Sequence, residues 1–166
     1  MKFQFKKIEK ENLPQVLQLF KETAEKIGKM NVDHWQYWKN PPEEKITWVA
    51  DGIQNGEFFF VTEQSGETIG MVRILTEDLL YWGVQQEKAT YVHSLVVKEK
   101  YNGKGVGTEI LHEIAKNAKS AGSVYLRLDA DAKNPKLCSY YEKMGFEKVG
   151  VKQLSLSNYN LYQKEV

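Results

Sequence analysis

Three glycines on alternate positions, Gly103, Gly105 and Gly107, have the spacing that most directly suggests chemistry. They lie in Val97-Lys98-Glu99-Lys100-Tyr101-Asn102-Gly103-Lys104-Gly105-Val106-Gly107-Thr108, between a strand-like run and an amphipathic one. Glycine admits positive φ and close approach of a ligand, and the first N–H groups of a following helix point at whatever fills the turn. The chemistry is anion binding, with phosphate the natural occupant. A P-loop needs Gly-x-x-x-x-Gly-Lys followed by Ser or Thr, whereas Gly103-Lys104 is followed by Gly105 and lacks the upstream glycine. A dinucleotide turn needs Gly-x-Gly-x-x-Gly, and the third glycine comes one residue early. An ordinary glycine-rich turn without a ligand stays open at this level.

His93 precedes that turn on the strand-like run. An imidazole with an ordinary pKa of about 6.5 can take a proton directly or through water; the alternative is a hydrogen-bonded histidine with no chemical role. Ser94 cannot join it in a local dyad, because successive strand side chains face opposite ways. His34 falls in a variable-looking region and His112 in the middle of a helical pattern. Cys138 reads as a small packing residue with no nearby base. Aromatic residues crowd His34-Trp35-Gln36-Tyr37-Trp38, recur at Trp48 and return at Tyr81-Trp82. Such rings either pack a core or wall a pocket for an amine or flat apolar body. Arg73, Glu77, Asp78, Arg127, Asp129 and Asp131 lie on or just after strand-like runs and could contact an acceptor, though singly each reads as a surface or ion-pair residue.

The elements that must hold these residues follow from periodicity. Phe3, Phe5 and Ile8 predict a strand, and Asn12 with Pro14 a helix start. Leu13, Val16, Leu17, Phe20, Ala24 and Ile27 share one helical face up to Gly28, which should stop the helix. A second helix should follow Pro41-Pro42, with Glu43 and Glu44 at its positive end, and run to about Asn55-Gly56. Phe58 to Thr62 and Thr68 to Leu75 predict a hairpin around Gln64 to Glu67. Ala89 to Val97 alternates, with Tyr91, His93, Leu95 and Val97 on one face. Val106, Ile110, Leu111, Ile114, Ala115 and Ala118 predict a helix ending near Gly122, and Val124 to Leu128 the next strand. A last helix around Pro135 to Met144 precedes closing strands at Phe146 to Val151 and Leu154 to Tyr162. Hairpins require antiparallel pairs and the crossover a parallel one, so the sheet should be mixed, with helices on both faces.

The 166 residues are 42% hydrophobic, enough for one core and short for two. With 23 Lys plus Arg against 22 Asp plus Glu, no net field draws the chain to nucleic acid or to an anionic membrane. One cysteine and no zinc-type Cys/His spacing argue against an internal disulfide or a metal. The N-terminal MKFQFKKIEKEN has no apolar signal core, and no apolar run approaches the roughly 20 residues of a membrane span. The expectation is a cytoplasmic protein of one domain, 1–166.

Two motifs sharpen this reading. Leu95-Val96-Val97 enters the turn Asn102 to Gly107, which has the form Gln/Arg-x-x-Gly-x-Gly/Ala with Asn102 departing from its first residue. Asn134 is followed seven positions later by Tyr141-Glu142-Lys143-Met144-Gly145-Phe146. In these segments the chain resembles the GNAT superfamily of N-acetyltransferases, from about Phe3 to the C-terminus and most specifically from Tyr91 to Phe146. The resemblance implies the acyl-CoA N-acyltransferase fold: α/β, or α+β by a stricter convention. Its mixed, largely antiparallel sheet of six to seven strands is splayed between the fourth and fifth, here Ala89 to Val97 and Val124 to Leu128. It implies acetyl-CoA as cosubstrate and no metal. The cofactor contacts would be Leu95, Val96, Val97, Asn102, Gly103, Lys104, Gly105, Val106, Gly107, Thr108, Asn134 and Tyr141. Tyr141 would be the acid that protonates the CoA sulfur. His93 is the candidate base, two residues before the cofactor segment. Trp35, Trp38, Tyr81 and Trp82 would wall the acceptor site. The expected reaction is acetyl transfer to a primary amine of a small molecule, or secondarily of a peptide, by a monomer or homodimer. An acyl-CoA-binding regulatory module is the alternative, and a nucleotide-binding protein a third.

Overall fold

The computed structural model describes residues 3–166; the expected domain begins at residue 1, and residues 1 and 2 lie outside the described ones. Its strands are β1 Gln4–Lys7, β2 Phe58–Thr62, β3 Thr68–Leu75, β4 Ala89–Val97, β5 Tyr125–Asp131, β6 Glu147–Gln153 and β7 Asn158–Glu165. Its α-helices are α1 Leu13–Lys29, α2 Glu43–Gln54, α3 Val106–Ser120 and α4 Pro135–Lys143. The strands form one mixed sheet in the order β1-β2-β3-β4-β5-β7-β6. Its only parallel pair among the described residues is β4 with β5, as the crossover through α3 requires. The expected class and strand count are thus found.

The chain clusters into two compact units, one running up to Arg73 and resuming at Ser94–Ile110, the other made of Ile74–His93 and Leu111–Val166. In the first, β1, β2 and β3 pair antiparallel, and Lys98 donates its N–H to the Ile69 carbonyl at 2.8 Å. The core joins Val16, Leu19, Phe20 and Ala24 of α1 to Val49 and Ile53 of α2 and to Phe58, Phe60, Met71 and Val96 of the strands. The stripe read from the α1 sequence is the face that is buried.

Local details depart from expectation. α1 starts where Asn12 and Pro14 signalled, with Asn12 in the N-cap position, but the Asn12 side chain accepts the Glu9 N–H at 3.1 Å rather than capping a helix N–H. Gly28 lies inside α1 rather than ending it. A Cβ there would come within 2.7 Å of Gln36 Oε1, while Gln36 Nε2 donates to the Ala24 carbonyl at 2.9 Å. The glycine makes room for a docked glutamine. The left-handed residue past the helix end is Asn31, with φ 56. Gln36–Lys39 forms a 3₁₀ turn that the aromatic-rich sequence did not announce. It lays Trp38 flat on Phe20, centroids 4.1 Å apart.

In the second unit β5 pairs with β7 over seven positions, and β7 with β6. β5 runs three residues past Leu128, and the closing strands begin later than expected. Leu154 to Ser157 form the turn between them, closed by the Leu154 N–H on the Ser157 carbonyl at 3.0 Å. Pairing of β4 with β5 covers only Ala89, Thr90 and Tyr91 against Tyr125, Leu126 and Arg127. Beyond that point the two strands are no longer laddered, which is the expected splay.

Candidate active site

After β4, Glu99–Tyr101 makes a 3₁₀ turn, and Asn102 donates its N–H to the Glu99 carbonyl at 3.0 Å. Gly103 and Gly105 then take φ 71 and φ 73, both left-handed. Val106 is buried and opens α3, whose first bond runs from the Glu109 N–H to the Gly105 carbonyl at 3.1 Å. Left-handed residues alternating with a right-handed helix start direct successive N–H groups into one concavity, and the positive helix end adds to its pull on an anion. A Cβ at Gly103 or Gly105 would meet nothing within 4 Å, so the turn faces open space. The residues present fit a pyrophosphate. Upstream, Val96 is buried while Leu95 and Val97 are half-buried. Gly70 of β3 lies so close that a Cβ on it would stand 2.0 Å from the Val96 carbonyl oxygen. A cavity of about 150 Å³ opens beside them, walled by Leu19, Glu22, Thr23 and Lys26 of α1 and by Val96 to Glu99. Burial pulls the Lys26 ammonium below its ordinary value, partly opposed by Glu99.

Ser94 has φ 53, which interrupts the regular alternation of β4 between His93 and Leu95. Strict period-two alternation, the basis for placing His93, Leu95 and Val97 on one face, does not hold through that point. In the second unit His93 is hydrogen-bonded to one acid and lies beside a second, whose near oxygen, Asp129 Oδ1, has no hydrogen-bond partner among the described residues. Its Nε2 lies 2.7 Å from Asp78 Oδ2 and its Nδ1 3.2 Å from Asp129 Oδ1. Asp78 comes from the loop after β3 and Asp129 from the part of β5 beyond its pairing with β4. The Tyr81 ring stands 5.0 Å from the imidazole and 5.4 Å from Tyr159. Burial pushes the Asp129 carboxyl up to about 6; His93 opposes the rise and Asp78 adds to it.

That shift has a sign. The folded carboxyl holds its proton more tightly than the unfolded one, so the associated stability is full below about pH 4 and is lost as pH rises through about 6. Asp129→Asn removes the ionisation. Its stability relative to the wild type should therefore rise between pH 4.5 and 7.5, by on the order of 2 kcal/mol, when measured by urea unfolding. A gap that does not change with pH would show that ionisation of Asp129 is not what burial opposes.

Tyr141 is half-buried on α4, its ring 6.0 Å from Tyr162 and 5.9 Å from Phe146. Burial raises its phenol well above the ordinary range, and the Asp129 carboxylate adds to the rise, so the hydroxyl is protonated at any physiological pH. Asn134 caps α4, its Oδ1 accepting the Leu137 N–H at 3.1 Å, which gives this asparagine a local structural reason. Cys138 is buried and accepts from Asn160 Nδ2 at 3.4 Å.

The four aromatic residues expected around an acceptor have different surroundings. Trp38 is buried in the core and Trp35 packs edge-on against Phe20. Tyr81 lies against His93, and Trp82 against Tyr91 and the Arg127 guanidinium. Core packing thus accounts for Trp38, whereas Tyr81 adjoins the titratable cluster. Asp78 and Asp129 were named from sequence only among six charged residues that could contact an acceptor, each read singly as a surface or ion-pair residue, and nothing joined them to His93. A signal existed for Asp129: it sits in a strand otherwise buried on both faces, where a carboxylate needs a partner. None existed for Asp78, since a loop has no periodicity to place it.

The geometry, an anion-binding turn in one unit and a buried acid–base cluster in the other, can be set beside known proteins. The model of the acetyltransferase (GNAT) family matches residues 15–146. An uncharacterized N-acetyltransferase of Bacillus subtilis, YesJ, is 28% identical over 123 residues, spanning 71% of this chain and 66% of that protein. A GNAT-family acetyltransferase of Listeria monocytogenes superposes with TM-score 0.78 at 20% identity, over 99% of this chain and 95% of that one. The PaiA N-acetyltransferase of Thermoplasma acidophilum, solved with coenzyme A, gives TM-score 0.62 at 20% identity over the full length of both chains. The chain belongs to the acetyltransferase (GNAT) family.

Proposed function

We propose that the protein is a single-domain N-acetyltransferase that moves an acetyl group from acetyl-CoA to a primary amine of a small molecule. The observation that carries this reading is the turn itself: two left-handed glycines open to solvent directly before α3, in a chain of this family. Backbone N–H groups of Asn102 to Thr108 would hold the pyrophosphate, and Leu95, Val96 and Val97 would offer strand backbone to the pantetheine amides. Coenzyme A complexes in the same fold support the choice of cofactor. Acetyl-CoA supplies an acetyl thioester, activated toward a neutral amine.

Tyr141 donates the proton that the departing sulfur needs, and the His93 cluster receives one from the amine. A phenol held above its usual range is a weak acid, but burial destabilises a thiolate in the same way, so the gap between the two narrows. Incubation with acetyl-CoA and a broad amine library, with release of free thiol as readout, tests the reading; silence across the library would count against it. A non-catalytic CoA-binding module would instead be stabilised thermally by CoA without turnover. Stabilisation by ATP and not CoA would point to a nucleotide site.

A further inference from the structure

Both ring nitrogens of His93 face carboxylates, and this has a consequence for protons. A neutral imidazole carries one N–H and one lone pair. Nε2 and Asp78 Oδ2, 2.7 Å apart, share a proton in a hydrogen bond, so a neutral ring leaves its Nδ1 lone pair 3.2 Å from Asp129 Oδ1, an oxygen with no hydrogen-bond donor among the described residues, and repulsive to it if that acid is ionised. The contact is favourable only with a second proton in the group. Either the ring is an imidazolium between two carboxylates, or it is neutral and one carboxyl is protonated toward it. The two descriptions have the same proton count and the same net charge of minus one. They differ only in where one proton sits. Asp78, His93 and Asp129 are 5%, 14% and 10% exposed, so the excess negative charge is poorly solvated, and one further proton would cancel it.

We propose that Asp78, His93 and Asp129 work as one two-proton unit that accepts a proton from the acceptor's ammonium, with Asp78 and Asp129 as positioning residues for His93. This rests on the transferase reading above. The protons balance as follows. An acceptor R–NH₃⁺ loses two protons in becoming the amide: the first goes to the unit and later to solvent, and the second, lost once nitrogen is bonded to carbon, restores to Tyr141 the proton it gives to the departing sulfur. The N–C bond forms as the C–S bond breaks. The ammonium has no lone pair, so the unit must take the first proton before the nitrogen attacks.

The Asp129 carboxylate acts on Tyr141 of α4, and Tyr81 of the β3–β4 loop lies against the ring with Tyr159 of β7 behind it. Holding a divalent cation is a competing use of the same three side chains, whose ligand atoms lie within 4.8 Å of one another. It is disfavoured because a cation taking a ring nitrogen would displace the carboxylate already facing it.

Two measurements test the proposal. The first is NMR titration of the His93 ring, which needs no turnover. In the wild type it should show two coupled steps; in Asp129→Asn a single step should remain, moved at least about one unit to lower pH. The second is the pH profile of kcat/KM. Its acidic limb should move to lower pH by about the same amount in Asp129→Asn and in Asp78→Asn, with the plateau falling about tenfold and CoA affinity by calorimetry unchanged. Thiol release with an unmoved ring titration and an unmoved limb in both variants would overturn the proposal. So would loss of wild-type activity in a chelator, restored by a divalent metal. No thiol release by the wild type at any pH would sink the transferase reading instead.

Discussion

Tyr141→Phe should lower kcat about a hundredfold while KM for acetyl-CoA and the affinity for CoA change less than about twofold. The phenyl ring keeps its contacts with Phe146 and Tyr162, so the melting temperature should stay within a few degrees. What is lost is a hydroxyl of α4 that senses the Asp129 carboxylate and stays protonated across the assay range. Steady-state kinetics with thiol detection, paired with calorimetric titration of CoA, makes the measurement. A fall in CoA affinity matching the fall in kcat would assign Tyr141 to binding or packing and remove it from the chemistry.

The second large effect is on stability. Gly70→Ala places a methyl group 2.0 Å from the Val96 carbonyl oxygen, and both partners are backbone in paired strands. No rotamer can relieve it, so β3 must move away from the end of β4 or the ladder between Ile69 and Lys98 must break. The cost should be about 3 kcal/mol or more, at the upper end for single substitutions. Denaturant unfolding gives the number, and a loss below about 1 kcal/mol would mean that the strands have slack. Val96 and Val97 line the cavity beside α1, so a folded Gly70→Ala protein should also bind CoA more weakly.

Much of the fold was legible because period and punctuation agreed. The bounds of β2, β3 and β4 follow directly from apolar runs between turn residues, and α3 from its stripe ahead of Gly122. Where the reading slipped, side chains had overridden local signals. Gly28 looked like a stop but is a socket for Gln36. Trp38 looked like a pocket wall because aromatic density cannot tell a ring stacked on Phe20 from one facing a ligand. For the site, the glycine turn is a local backbone device and therefore visible in sequence. The setting of His93 is not, because it depends on two acids 15 residues before and 36 residues after it meeting one ring. Ser94 likewise carries no mark of its left-handed φ, since nothing in its side chain demands it.

Cys138, the chain's single thiol, bears on how all of this can be measured. It is 7% exposed and engaged by Asn160, so a colorimetric thiol reagent should pass it by while the second unit is closed. Coenzyme A released by turnover is then recorded against an almost blank protein background. Any slow labelling of Cys138 that follows reports the opening of α4 from β7, the helix that carries Tyr141. One trace resolves catalysis from structural loosening by time alone, and a variant that loses activity through loosening betrays itself in the late phase.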